Sequence, residues 1–137
     1  MITRNLENTA MDLTQPLIDL VNRVNGAYGA ILTDGGGDII TSYTIPEENI
    51  YPELPIEDRM QLIGAYQVIN LKLCKQITGQ FRLGNLKQMI CRYSNASILV
   101  QALNDDYALL LALSAEGNLG KGRYYIQHAA DLIRQDL

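Results

Sequence analysis

The sequence has no tryptophan and a single phenylalanine among its 137 residues, one histidine and two cysteines. Each shortage excludes something. Stacking of nucleic-acid bases would fall to the tyrosines, without a basic groove to hold the strand. Cys74 and Cys91 have no histidine or further cysteine at metal-ligand spacing, so they read as buried free thiols and no metal or other cofactor is expected. Positive charge is also short. Eleven Lys and Arg stand against fifteen Asp and Glu, for a net charge of -4, which disfavours binding to a phosphate backbone. No apolar run approaches the roughly 20 residues that cross a bilayer, and the opening residues lack the apolar stretch of a secretory signal. The chain therefore reads as cytoplasmic, without membrane insertion. What is present is a hydrophobic fraction of 47% against 19% charged residues, enough to bury a core in one domain over 1–137, with 1–10 as an N-terminal extension.

The charges are unevenly placed. Residues 1–70 carry three bases and ten acids, and residues 71–137 carry eight bases and five acids. The contrast sharpens between residues 34–58, with seven acids and no base, and residues 72–92, where Lys72, Lys75, Arg82, Lys87 and Arg92 have no acid among them. Such surfaces suit contact within the fold or across a dimer, or are two solvated faces of little energetic consequence.

Leu13, Leu17, Leu20, Val21 and Val24 recur at helical spacing, with Asp12 and Gln15 as a capping box, Pro16 in the first turn and Asn25-Gly26 as the stop. Residues 27–33 and 38–44 flank Asp34-Gly35-Gly36-Gly37 and predict a β-hairpin. Pro46, Pro52 and Pro55 with Glu47, Glu48 and Glu53 make 45–56 an acidic loop, either a contact surface or an inert connection. Residues 57–79 form the longest helical pattern, and its wheel has two apolar faces. Leu62, Ile63, Tyr66, Ile69, Leu73, Cys74 and Ile77 make one, and Met60, Gly64, Val68 and Leu71 the other, with Gln61 and Gln67 between them. One face serves the core; the other calls for a layer or a partner chain. Strand-like runs follow at 87–93, 97–103 and 107–113, the last apolar at nearly every position and so covered on both faces. A final helix from about Gly120 buries Gly122, Ile126, Ala129, Ala130 and Ile133, with Asn118 as its cap. The fold class is α+β: a five-stranded antiparallel sheet with helices on both faces, in the order α-β-β-α-β-β-β-α.

Catalytic patterns are weak. His128 points away from the apolar stripe of its helix and has no nucleophile spaced to serve it. Asp34 with Asp38, and Asp105 with Asp106, form carboxylate pairs, but both pairs fall at hairpin turns, where Asp is expected for backbone reasons. The Gly35–Gly37 loop lacks the Lys-Ser or Lys-Thr of a phosphate-binding loop, and Gly117-Asn118-Leu119-Gly120-Lys121-Gly122-Arg123 is too compressed for one. That second stretch reads as a tight strand-to-helix junction with Lys121 and Arg123 available to a partner.

Two stretches carry a family resemblance. Gly26-Ala27-Tyr28-Gly29-Ala30-Ile31-Leu32-Thr33-Asp34-Gly35-Gly36-Gly37-Asp38-Ile39-Ile40 resembles the first hairpin of roadblock/LC7 domains, and Gly117–Arg123 with Ala129 and Ala130 resembles their last junction and helix. The resemblance spans about residues 10 to 137. It implies a domain without an active site that dimerises through its second helix and third strand, in which many members bind Ras-like small GTPases as scaffolds or activating partners. On this reading Met60, Gly64, Gln67, Val68 and Leu71 of the helix and Gln88, Ile90 and Arg92 of the strand form a homodimer seam, with adjacent surface offered to a GTPase. The alternatives are a dynein-type adaptor, a small-molecule sensor of the same sandwich architecture, and a minimal hydrolase using His128 or the aspartate pairs.

Overall fold

A computed structural model describes residues 6–46, 56–104 and 106–136, with the side chains of 6–12, 56, 57 and 78 outside the description. The elements run α1 (Leu6–Arg23), β1 (Ala27–Asp34), β2 (Ile39–Thr44), α2 (Ile56–Gln80), β3 (Gln88–Arg92), β4 (Ala96–Asn104), β5 (Tyr107–Ser114) and α3 (Leu119–Arg134). The strands form one antiparallel sheet in the order β2-β1-β5-β4-β3. β5 lies at its centre, which explains its unbroken apolar sequence, since both of its faces are covered.

Two cores flank the sheet. Leu17, Leu20 and Val24 of α1 and Ile126, Ala130 and Ile133 of α3 bury one face against Ala30, Leu32, Leu99, Leu109 and Leu111. Met60 and Leu71 of α2 bury the other against Ile31, Ile98, Val100, Leu110 and Ala112. Small residues set the close approaches. A Cβ on Gly122 would meet Leu99 Cδ1 at 2.9 Å, so α3 rests directly on the strand residues. Asn118 caps α3 by accepting from the Lys121 amide at 3.0 Å.

The hairpin, meander and last helix lie where the sequence places them. The first helix differs. It starts at Leu6, inside the stretch expected as an extension, so Asp12 lies within the helix instead of capping it, and Pro16 sits in its interior. No helix among the described residues is long and apolar enough to cross a membrane. Most of the acidic 45–56 loop lies outside the described residues, as does Asp105.

Candidate interaction surface

Helix α2 divides its apolar residues between two opposite directions. Met60, Gly64, Gln67, Val68 and Leu71 turn inward and are buried within their own protomer. Gly64 faces β1, where a Cβ would lie in ordinary contact with Ile31 Cδ1 at 3.5 Å and Thr33 Cγ2 at 3.7 Å. Outward, Leu62, Tyr66, Ile69, Leu73 and Ile77 each keep half or more of their surface exposed. Their spacing of four, three, four and four makes one continuous stripe. Past the helix the stripe continues into a turn where Phe81 and Leu83 are exposed and Arg82 takes a left-handed φ of 56°. A soluble monomer seldom displays this much contiguous apolar surface without using it.

The five helix residues expected at the seam are buried within the protomer, and the α2 residues open to solvent are those of the opposite stripe. Two apolar stripes on a wheel do not say which one the sheet takes.

The strand residues are brought to a different place. Among the described residues β3 is the edge strand, bonded to β4 alone. Lys87 C=O accepts from Ala102 N–H at 2.9 Å, and Tyr93 N–H donates to Ala96 C=O at 2.7 Å. Antiparallel alternation then directs the odd positions toward β4 and points the N–H and C=O of Gln88, Ile90 and Arg92 off the sheet. Their side chains lie on the face away from α2. Arg123 Nε of α3 donates to Gln88 Oε1 at 3.2 Å. So Gln88, Ile90 and Arg92 offer backbone groups at the free edge, and their side chains do not join the helix stripe. Arg123, expected to be available to a partner, is exposed and bonds Gln88 through its Nε alone among the hydrogen bonds seen for its guanidinium within the described residues.

On the α2 side of β3 stand Met89 and Cys91. Gln67 connects them to the helix: its Nε2 donates to Tyr93 Oη at 3.0 Å, and its Oε1 accepts from Cys91 Sγ and from Asn70 Nδ2, each at 3.4 Å. The buried amide is thus satisfied. Burial pushes the Cys91 thiol up, the Tyr93 hydrogen bond opposes the rise and Cys74 adds to it. Between the N-terminal half of α2 and the end of β3 lies an open cleft of about 350 Å³, lined by Tyr28, Leu62, Ile63, Tyr66, Gln67, Asn70, Tyr93, Ala96 and Ile98.

Asp34, His128 and the cations near the end of α2 have contacts of their own. Asp34 Oδ1 accepts from the amides of Gly36 and Asp38 at 2.9 and 3.0 Å, which makes it the organiser of the hairpin turn. His128 is exposed on α3 against Tyr124, ring centroids 4.7 Å apart. Lys75, Lys87 and Arg134 line a second cleft of about 350 Å³ at the other end of α2. In it Arg134 donates from Nε to Leu103 C=O and from Nη2 to Ala102 C=O, and pairs with Asp131 at 2.8 Å. Among the described residues no group of three or more His, Cys, Asp or Glu is placed to hold a metal ion.

The chain resembles several solved structures. It matches MglC from Myxococcus xanthus with a TM-score of 0.68 at 25% identity, over 93% of this chain and 100% of that one. It matches the Roadblock/LC7 domain from Streptomyces avermitilis with a TM-score of 0.74 at 15% identity, over 88% and 93% of the two chains. An MglB structure with a tetrameric arrangement matches at a TM-score of 0.79 and 13% identity, over 99% and 93%. Neither a protein-family model nor a curated protein matches the sequence.

Proposed function

Because the chain has the roadblock/LC7 fold, we propose that it is a non-enzymatic homodimeric module that binds a Ras-like small GTPase and either holds it in place or adjusts its hydrolysis of GTP. The observation that carries this reading is the exposed stripe of α2 together with the backbone edge of β3, which is unpaired among the described residues. An edge strand with open donors and acceptors pairs readily with a second strand, and an apolar helix face beside it adds burial to that pairing. A second copy offers the same two features in mirrored order. The tetrameric arrangement of MglB, a protein of the same fold, supports self-association. The non-enzymatic part of the proposal is supported by the duties already assigned: Asp34 to a turn, Arg123 to Gln88, Arg134 to the β4 carbonyls.

The test is direct. The purified protein is mixed with each Ras-like GTPase of its source organism, and complex formation and single-turnover GTP hydrolysis are measured. The expected result is a stable complex or a changed hydrolysis rate with at least one of them. Absence of both across the whole set overturns the proposal.

A further inference from the structure

Three sulfur-bearing side chains gather between α2 and β3, and the proposed interaction leaves their chemistry unused. Met89 and Cys91 are alternate residues of β3, both turned toward the helix and packed on the core beneath it. Cys74 of α2 faces them. Its Sγ donates to Met89 Sδ at 4.0 Å, and its proximity adds to the rise of the Cys91 thiol. Both thiols are free and partly accessible. Along the chain the two cysteines show no metal-ligand spacing; the fold supplies the third donor that spacing lacks, a thioether from the strand. We propose that Cys74, Met89 and Cys91 form a three-coordinate sulfur site for copper(I).

The donor set supplies the first argument. Thiolate and thioether sulfurs are soft ligands that select copper(I), whereas calcium and magnesium require oxygen. Zinc takes four ligands from Cys, His, Asp or Glu, and among the described residues no third member of that set joins the two cysteines. Distance supplies the second. Three sulfurs in a plane, each about 2.3 Å from one ion, lie about 4 Å apart, and Cys74 and Met89 already stand at 4.0 Å. Cys91 completes the triangle by turning from Gln67 Oε1, which accepts its thiol at 3.4 Å. That move strands no polar group, because Gln67 keeps Tyr93 through Nε2 and Asn70 through Oε1. The flexible Met89 stem lets its sulfur adjust to the ion.

Charge supplies the third. Binding releases one proton from each thiol to solvent, and Met89 gives a lone pair without losing a proton. Copper arrives and stays as copper(I), so no electron is transferred. Two thiolates around a monovalent cation leave a single negative charge. Lys72 and Lys75 flank Cys74 in sequence, Arg92 adjoins Cys91, and residues 72–92 contain no acid, so the surroundings favour that charge. An unfolded chain does not hold the three sulfurs together. The ion therefore binds the folded state and ties α2 to the edge strand.

The experiment titrates the anaerobic protein, reduced with a phosphine, with copper(I) in competition with bicinchoninate, a chelator whose colour reports the copper it holds. The wild type should withdraw a single copper(I) per protomer, and X-ray absorption at the copper edge should find three sulfurs at about 2.3 Å. Cys74→Ser and Cys91→Ser should each weaken binding at least about a hundredfold, since even the outer partners of metal ligands are worth about 10–100-fold. Met89→Leu, which conserves volume, should weaken binding about tenfold and leave two sulfurs around the ion. Copper(I) should also raise the unfolding temperature of the wild type and leave that of Cys74→Ser unchanged, with circular dichroism as the check on folding. If the wild type leaves the copper with the chelator, or Met89→Leu binds as tightly with its sulfur shell unaltered, the site is overturned. One copper shared between two protomers overturns it as well, because the three sulfurs of one chain then do not suffice.

Discussion

Gly26 enters β1 at a φ of +85°, and a Cβ there would lie 2.5 Å from Gly117 Cα and 2.9 Å from Ser114 Oγ. Neither neighbour can retreat. Ser114 N–H donates to Gly26 C=O at 2.8 Å and Asn118 N–H to Asn25 C=O at 2.9 Å, a stitch that joins the start of the hairpin to the entry of α3. A left-handed backbone costs a non-glycine residue about 1–2 kcal/mol, and the backbone clash adds to it, so Gly26→Ala is expected to lower the unfolding free energy by roughly 2–4 kcal/mol in urea titration. Gly29→Ala should be milder, because its nearest obstacle is Met60 Cε, the far end of a flexible side chain. At Cys91 burial raises the thiol above its ordinary range, so the folded state keeps its proton to higher pH than the unfolded state does. The unfolded state then binds fewer protons, and stability falls as pH rises through the thiol range. Urea midpoints measured between about pH 8 and 10 should decline more steeply for the wild type than for Cys91→Ala.

At the scale of the element, α2 and α3 show where sequence patterning is sufficient and where it is not. α3 has one apolar stripe, an asparagine at its entry and glycine where it meets the sheet, so both its position and its orientation follow from the pattern alone. Asn118→Ala leaves the amide of Lys121 without its side-chain acceptor and should lower stability by about 1 kcal/mol, measured by thermal and urea unfolding. α2 has two apolar stripes, and a wheel has no outside. Its inward stripe contains Gln67, whose polarity suggests a separator and whose amide is in fact absorbed by Tyr93 and Cys91. Its outward stripe is the longer and bulkier one, which apolar content alone would assign to the core. What decides between them is the fit of Gly64, Met60 and Val68 to a surface that exists only once the sheet has formed, and one helix read by itself does not contain that surface. α1 is the other partial reading. Pro16 suggests a first turn, but the helix runs through it from Leu6, with the apolar face of Leu13, Leu17 and Leu20 packed on α3 and the sheet as the tertiary support that local preference lacks.

For the molecule as a whole, the order of eight elements was legible because glycine, asparagine and aspartate mark nearly every reversal, and because β5 carries the continuous apolar sequence that only a central strand can bury. The free edge was legible only in part. The polar side of β3 is visible in the sequence, but the direction of its backbone groups follows from the register against β4, in which Cys91 faces Ile98 and Ile90 faces Leu99. That register separates two substitutions one residue apart. Ile90 points its N–H off the sheet, so Ile90→Pro leaves the β3–β4 ladder intact, and proline is tolerated on an edge strand in that position. Cys91→Pro removes an N–H that bonds β4 and should unfold the edge of the protomer. If self-association uses this edge, Ile90→Pro takes away the donor that the twin strand needs and sets a pyrrolidine ring between the two backbones. The expected outcome is a shift from dimer to monomer in sedimentation at micromolar concentration, with the circular dichroism of the sheet retained. A dimer that withstands Ile90→Pro would move self-association away from β3 and leave the stripe of α2 as the contact to be accounted for by another partner.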